Sequence, residues 1–265
     1  MRIFKSIRVV GLALALTLSV VPTLSANASP VLDQKEIRTL TGQVLALVQE
    51  GKESEVENLP LSKKYKEIFE KNPDLKTKYI NSLDVTNAAH NRELRDTAKT
   101  FKKGDRTFTV FEDGSFSVTK NTINAPKVEN GIVATGSSST GEQWYSAFEG
   151  QSFVNDSQTD LWAVVKSGEL HLRTNYNIYS TSATISDVNY AGTWTVWPLT
   201  LVSSTTSTQI NNQRTVNSKG EFVLQNNCGS QGACTSLTHV GYTYITVQYA
   251  GDGTIKFTVK SDWNW

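Results

Sequence analysis

Cysteine and histidine are scarce in this sequence, and neither forms a metal-binding pattern. The 265 residues contain two cysteines and three histidines. The cysteines, Cys228 and Cys234, have only His239 nearby as a further zinc ligand, whereas a tetrahedral zinc site needs four ligands. The stretch Asp156 to Asp160 begins like a calcium loop, but Leu161 stands where such a loop needs glycine. The sequence therefore predicts no metal site, and nothing in it indicates a cofactor.

Catalytic motifs are missing as well. The sequence contains no Gly-x-Ser-x-Gly elbow, no His-Glu-x-x-His helix and no glycine-rich phosphate loop. A Ser-His-Asp triad needs a histidine between a nucleophile and a carboxylate, and the C-terminal half offers only His171 and His239. We therefore predict no catalytic residues. A hydrolase whose carboxylates lie far apart in sequence stays open as an alternative.

Long apolar runs are also absent, except for one at the start. Arg2, Lys5 and Arg8 precede an apolar run from Val9 to Val21, and small residues follow at 26–28. This is the pattern of a secretory signal peptide, and the run is short for a membrane span. We therefore expect residues 1–28 to be a signal peptide, the protein to be secreted and extracellular, and no stable membrane insertion.

The charge is close to balanced, which excludes a strongly basic protein. Without the three leader cations, 23 basic residues stand against 25 acidic ones. This balance argues against nucleic acid and against an electrostatic membrane partner. Outside the cell, Cys228 and Cys234 are expected to form a disulfide. The short ring that it closes contributes about 2 kcal/mol to stability.

Residues 29–104 are densely charged and indicate short helices. Asp33 caps the first helix, the second runs from Ser62 to Lys71, and Pro73 begins the third. A fourth is predicted from Thr86, with His90, Leu94, Ala98 and Phe101 on one side. Such thinly apolar helices need a partner surface. An ordered helical domain, a pro-segment and a loose spacer are the three interpretations of this region.

Residues 105–130 are interpreted as a β-hairpin followed by a connector. A three-residue loop, Glu112-Asp113-Gly114, pairs Val110 with Phe116 and Phe108 with Val118. Residues 131–265 then show short strands with turn residues between them, which favours an antiparallel β-sandwich. The predicted fold class is thus mainly β: an antiparallel β-sandwich preceded by a short α-helical region. The predicted strands are Gln143–Phe148, Leu161–Lys166, Glu169–Thr174, Asn177–Ile185, Gly192–Trp197, Leu199–Val202, Gln209–Val216, Glu221–Gln225, Gly241–Ala250 and Thr254–Ser261.

The closing hairpin has the most regular alternation in the chain. A three-residue loop, Gly251-Asp252-Gly253, pairs Tyr249 with Ile255, Val247 with Phe257 and Ile245 with Val259, so that all six apolar side chains share one face. A two-residue loop on Asp252-Gly253 would pair Tyr249 with Lys256 and mix the faces. The three-residue loop is therefore predicted.

The Phe-Glu-Asp-Gly-Ser-Phe hairpin, followed by a Ser/Thr/Tyr/Trp-rich β-region, resembles uncharacterised secreted proteins of Gram-positive bacteria. The shared motif covers about 15 residues of a turn. The resemblance implies a C-terminal β-sandwich and secretion, and it implies no activity.

Two groups of residues are candidate binding sites. A two-residue loop at Ser167-Gly168 would place Glu169, His171 and Arg173 on one face, with Trp162 opposite Arg173. The first interpretation is a polar site beside an aromatic platform. The other is an ordinary cross-strand ion pair with a cation–π contact and a solvated histidine.

The second group is Tyr242 and Tyr244, on the polar face of the closing hairpin. Exposed aromatic side chains on a flat sheet can stack on sugar rings or anchor a protein partner. They can equally lie beneath the helical region, and this docking is the favoured interpretation because the helices need an apolar partner.

We expect a non-catalytic binding or structural module that acts at or beyond the bacterial cell surface. Its partner is undefined by the sequence, and a cell-envelope polysaccharide and a protein are the candidates. Two alternatives are an extracellular hydrolase with scattered carboxylates and an exported β-rich toxin or pore-former, which the Ser/Thr-rich stretch 203–208 suggests.

Overall fold

The structure, a computed structural model, describes residues 32–86, 94, 97–124, 143–196, 199–226 and 236–264. Its helices are α1 (Gln34–Gln49), α2 (Pro60–Lys71) and α3 (Pro73–Ser82), with a 3₁₀ turn at Glu53–Asn58 between the first two. The carboxylate of Asp33 accepts hydrogen bonds from the backbone N–H groups of Lys35 and Glu36, which confirms the predicted cap.

The predicted fourth helix is wrong at its C-terminal end. Phe101 lies in a strand, because it pairs with Phe108 and their rings stack at 5.2 Å. His90 lies outside the described residues.

Strands make up most of the described chain, and two antiparallel sheets pack together as a β-sandwich, as predicted. The strands are β1 (Lys99–Lys103), β2 (Arg106–Val110), β3 (Phe116–Asn124), β4 (Gln143–Ala147), β5 (Gln151–Trp162), β6 (Lys166–Ile178), β7 (Ala183–Asn189), β8 (Trp194–Thr195), β9 (Leu199–Ile210), β10 (Thr215–Asn226), β11 (Ser236–Gly251) and β12 (Thr254–Asn264). The seven-stranded sheet has the order β1-β2-β3-β5-β6-β7, with the short β8 also pairing with β6. The five-stranded sheet has the order β4-β12-β11-β10-β9.

The first hairpin has the predicted register. Val110 pairs with Phe116 and Phe108 with Val118. The backbone N–H of Phe111 donates to the Ser115 carbonyl at 2.9 Å and closes the loop. Strand β3 then pairs with β5, so this hairpin belongs to the same sheet as later strands.

The closing hairpin combines the strand pairing predicted for the three-residue loop with the turn of the two-residue loop. Val247 pairs with Phe257 and Ile245 with Val259, as predicted. The turn, however, is the two-residue loop: Asp252 and Gly253 both have positive φ, as in a type I′ turn. A β-bulge at Gln248 reconciles the two registers. Consequently Tyr249 pairs with Lys256, contrary to the prediction, and is 59% exposed.

Several strands are longer than predicted, and residues 151–160 of the strand Gln151–Trp162 were missed, since the prediction began at Leu161. The reason is a polar layer between the sheets. Asn155 donates to Thr243 at 3.3 Å, and the Trp263 indole donates to Ser157 at 2.8 Å. These inward residues are buried but polar, so the strand shows no apolar alternation. Beside this layer lies the apolar core, where the ring of Phe257 packs against Phe153, Tyr145 and Tyr176.

The helices pack on the outer face of the seven-stranded sheet. Phe108 and Phe116 point to that face and have no solvent exposure. The Arg106 guanidinium donates to the Val48 carbonyl at 2.9 Å, linking β2 to α1. After α3, the Asp84 N–H donates to the Asp113 carboxylate at 2.8 Å. The helices of residues 34–82 therefore lie against the seven-stranded sheet.

The expected docking of the helices on Tyr242 and Tyr244 is wrong. These tyrosines occupy outward positions of β11, which belongs to the five-stranded sheet. The helices cover the other sheet, on the opposite side of the sandwich. The helices meet the first hairpin instead, where Arg106 donates to the Val48 carbonyl and a Cβ at Gly114 would lie 3.4 Å from Thr41.

Candidate functional site

The predicted group of Glu169, His171 and Arg173 does share one surface, the outer face of the seven-stranded sheet. Their predicted cross-strand neighbours are wrong, because the β5–β6 loop is Ala163-Val164-Val165 and not Ser167-Gly168. The observed pairs are Asp160 with Glu169, Gln158 with His171 and Asp156 with Arg173.

His171 lies between two carboxylates. Its Nδ1 is 2.8 Å from Asp156 Oδ1, and its Nε2 is 2.6 Å from Glu169 Oε1. An ionised carboxylate only accepts hydrogen bonds, so both contacts are hydrogen bonds when the ring is an imidazolium that donates from both nitrogens. Arg173 Nε donates to the second oxygen of Asp156 at 3.0 Å. Asp156 thus joins His171 to Arg173.

The network continues through Lys166. Its ammonium lies 3.0 Å from Asp160 and also pairs with Glu169. Asp160 further accepts from the Gln158 amide at 2.6 Å. Asp156 and Asp160 therefore lie on a strand within an ion-pair network. Across the residues that the structure describes, no group of three or more His, Cys, Asp or Glu side chains is arranged to hold a metal ion.

The electrostatics favour the charged forms of His171, Asp156 and Glu169. Burial opposes the charge of His171, but Asp156 and Glu169 outweigh it and raise the pKa of the imidazole above its ordinary 6.5. Burial likewise opposes the charge of Asp156, yet His171 and Arg173 lower the pKa of that carboxyl. The pKa of Glu169 is also lowered, because Lys166 and His171 outweigh its burial.

The loop before β8 covers this histidine. Gly192 has φ of +100°, and a Cβ there would lie 3.3 Å from the His171 ring. The His171 backbone N–H donates to the Thr193 hydroxyl at 2.9 Å. His171 is therefore buried, and the solvated histidine of the second interpretation is wrong. With both nitrogens donating to carboxylates, the ring has no lone pair to act as a general base.

Trp162 belongs to a different environment from the one predicted. It pairs with Lys166 rather than Arg173, and its ring stacks on Phe116 with 6.2 Å between centroids. Only 4% of it is exposed, so it is no open platform. The Lys166 ammonium lies 5.7 Å from the Trp162 ring centroid and 5.4 Å from that of Trp194.

Tyr242 and Tyr244 form an aromatic pair on the outer face of the five-stranded sheet. Their ring centroids are 6.1 Å apart, and their planes are 22° from parallel. Both side chains are half-buried. On the neighbouring strands, Tyr242 pairs with Lys219 and Asp262. The six predicted site residues therefore occupy two separate surfaces, one on each sheet.

Two further aromatic residues lie on the same face as this pair. Trp144 pairs with Thr258, an outward position of β12. Tyr249 reaches the face because the bulge shifts its pairing to Lys256. Sequence reasoning missed both, since the β4–β12 pairing joins distant segments and the bulge has no local signal. We call the surface formed by Trp144, Tyr242, Tyr244 and Tyr249 the aromatic face.

Cys228 and Cys234 lie outside the described residues, so their disulfide stays a prediction.

In comparisons with known protein families, curated proteins and solved structures, nothing matches this chain. In the described ranges, no helix has both the length and the apolar character needed to cross a membrane.

Proposed function

We propose that this protein is a secreted, non-catalytic module that binds a cell-envelope polysaccharide on its aromatic face. The observation that carries the proposal is the stacked pair Tyr242 and Tyr244 on the sheet face that lies opposite the helices. A sugar ring presents an apolar face and polar edges, so its binding site combines aromatic rings with hydrogen-bonding side chains.

The polar groups around the aromatic face fit this chemistry. Lys219 and Glu221 form one ion pair, and Lys260 and Asp262 form another at 2.8 Å. Both pairs lie at outward positions beside the tyrosines and can reach ring hydroxyls. Tyrosine suits such a surface because its ring packs while its hydroxyl stays hydrated.

The hydrolase alternative is weakened by the state of its carboxylates. Glu169 and Asp160 share Lys166, so they do lie close together. Both are held by a cation, and the pKa of Glu169 is lowered, which makes it a poor proton donor.

The pore-former alternative would need the β9–β10 hairpin to detach. Strand β9 is an edge strand, and its stretch 203–209 carries only polar side chains. Its partner β10, however, places Phe222 and Leu224 in the buried interior. Detachment would expose them, at about 2 kcal/mol each. Binding therefore stays the proposal.

The test is a sedimentation assay of the folded chain against insoluble polysaccharides, with purified peptidoglycan among them. Changing Tyr242 and Tyr244 together to Ser should abolish sedimentation and leave the melting temperature nearly unchanged. Tyr190→Ser is the matched control, since Tyr190 is 44% exposed and lies outside the aromatic face. A double variant that sediments like the parent protein would refute the proposal, and liposome leakage by the parent would favour the pore-former.

A further inference from the structure

The five strands that carry the aromatic face contain little charge, and most of that charge is internally balanced. Counting lysine, arginine, aspartate and glutamate, the charged residues of β4, β9, β10, β11 and β12 are Lys219, Glu221, Lys256, Lys260 and Asp262. Lys219 pairs with Glu221 and Lys260 with Asp262, so four of these charges neutralise one another. The fifth, Lys256, donates to the Ser146 hydroxyl near the turn.

This balance of charge selects an uncharged ligand. Carboxylates and phosphates are recognised by clusters of arginine or lysine that are open to them. To bind such an anion, Lys219 would have to exchange Glu221 for it and would gain little. A cationic chain, in turn, would meet Lys219 and Lys260 on either side of the tyrosines.

The other polar groups near the tyrosines are hydroxyls. Ser207 pairs with Lys219 and Thr205 with Glu221, at exposed positions of β9. Thr246 lies on β11 beyond Tyr244, where it pairs with Thr215. A hydroxyl both donates and accepts hydrogen bonds, which matches the hydroxyl groups on the edges of sugar rings.

Three tyrosines lie in line along β11. Tyr242 and Tyr244 are two residues apart and share the outer face, and Tyr249 reaches the same face after the bulge. At the rise of a β-strand, the line from Tyr242 to Tyr249 is about 20 Å long. It therefore covers several consecutive sugar rings, and this length fits the interior of a glycan chain better than a single terminal sugar.

We propose that the aromatic face binds an uncharged glycan chain that lies along β11. The apolar faces of successive sugar rings stack on Tyr242, Tyr244 and Tyr249. At the edges of the rings, the Lys219 ammonium donates to ring hydroxyls and the Asp262 carboxylate accepts from them. This inference rests on the proposed function, because it names the class of polysaccharide and its direction on the same face.

The charge class is tested by native gel electrophoresis of the full chain through dissolved polysaccharides. The probes are matched pairs that share a backbone: hydroxyethyl cellulose with carboxymethyl cellulose, dextran with dextran sulfate, and starch with carboxymethyl starch. At least one uncharged probe should retard the protein, and its anionic counterpart should retard it less. This retardation should persist at high salt, because screening does not weaken the binding of an uncharged chain.

A variant that frees one cation sharpens this test. Glu221→Gln leaves Lys219 without its carboxylate and should raise the affinity for the anionic probe, relative to its uncharged counterpart, roughly two- to fivefold. High salt should remove this gain. Glu112→Gln is the matched control, since it makes the same change of charge at an exposed position of the first hairpin. It should leave the ratio of the two affinities as in the parent protein.

The direction of the chain is tested at its far end. Tyr249→Ser should weaken the binding of long fragments of the retained glycan roughly two- to tenfold, the loss expected for one aromatic contact. It should weaken the binding of the disaccharide less, because a disaccharide is too short to lie on all three tyrosines. Tyr190→Ser, at an exposed position outside the aromatic face, should behave like the parent protein with both fragments. Thermal melts check that each variant is folded.

Three results would overturn the inference. Retardation mainly by the anionic probes would refute the uncharged class, yet polysaccharide binding on this face would stand if the Tyr242 and Tyr244 double serine variant lost that retardation. An equal loss for the disaccharide and the long fragments in Tyr249→Ser would refute the direction along β11. Retardation by none of the probes would refute an uncharged glycan, while the sedimentation assay decides the proposed function separately.

Discussion

The outer faces of the two sheets differ in what lies on them. On the seven-stranded sheet, Phe108 and Phe116 are fully buried and lie on the side of the sheet that the helices occupy. On the five-stranded sheet, Tyr242 and Tyr244 are half-buried and Tyr249 is largely exposed. Both faces carry large aromatic side chains, yet the helices lie only on the side of the phenylalanines.

The difference teaches that the type of aromatic residue indicates the face that helices cover. Phenylalanine has no group that profits from water, whereas the tyrosine hydroxyl does. The same contrast holds for the charges. The ion pairs around His171 are buried, while Lys260 and Asp262 each keep 41% of their side-chain exposure. Covered charges shape the stability of the protein, and exposed ones do little for it.

The largest expected effect is on the covered face. Phe116→Ala should lower the free energy of unfolding by about 3–5 kcal/mol, because it leaves a cavity beneath the helices. Tyr244→Ala, its counterpart on the aromatic face, should cost less than about 1 kcal/mol. Urea denaturation of both variants measures the difference. If both variants lost the same free energy of unfolding, the two outer faces would be equally buried, contrary to the contrast drawn above.

A second effect concerns the buried charges and depends on pH. The raised pKa of His171 gives stability that is complete below pH 6.5 and is lost as the pH rises through the folded pKa. The lowered pKa values of Asp156 and Glu169 give stability that is complete above pH 4.5 and is lost as the pH falls through theirs. Together these groups stabilise the fold most between pH 4.5 and 6.5.

Substitution of the histidine isolates its part of this profile. His171→Gln should cost about 3 kcal/mol near pH 6, because it leaves two carboxylates with a lost partner. It should also remove the decline on the alkaline side of a melting-temperature profile. Lys260→Gln on the aromatic face should cost under about 1 kcal/mol and keep that decline. If the melting temperature of His171→Gln still declined at alkaline pH as in the parent protein, another group would be the cause of that decline.

The smallest effect sharpens the description of the turn that places Tyr249. Gly253→Ala should cost about 1–2 kcal/mol, because φ is +75° there. Gly251→Ala is the control, since a Cβ at Gly251 meets nothing within 4 Å and its φ is not positive. Denaturant midpoints of the two variants compare them. A greater loss in Gly251→Ala would indicate a different loop.

Local patterns were enough to predict much of the fold. The cap at Asp33, the Val110–Phe116 register and the Val247–Phe257 pair all depend on residues close in sequence. The bulge at Gln248 could not be predicted, because both loops there satisfy local rules. The two-residue turn matches the twist of the strands, and the bulge restores the buried face.

The candidate sites were predicted only in part, for a tertiary reason. Glu169 and His171 were placed together because alternation along a strand requires it. Asp156 was missed as their partner, since β5 carries buried polar residues such as Asn155 and Ser157 and did not look like a strand. The side on which the helices dock is likewise set by tertiary packing that no single segment shows.

The pairing of β4 with β12 has a consequence for the order of events during synthesis. Ala147 pairs with Ile255, so β4 cannot join the five-stranded sheet until β12 has been synthesised. At roughly 5–20 residues per second, a ribosome takes about 5–20 s to make the intervening chain. During that time Tyr145 lacks the ring of Phe257, on which it stacks at 5.4 Å. We therefore expect the nascent chain to be a chaperone client, whose core closes only after translation has passed Phe257.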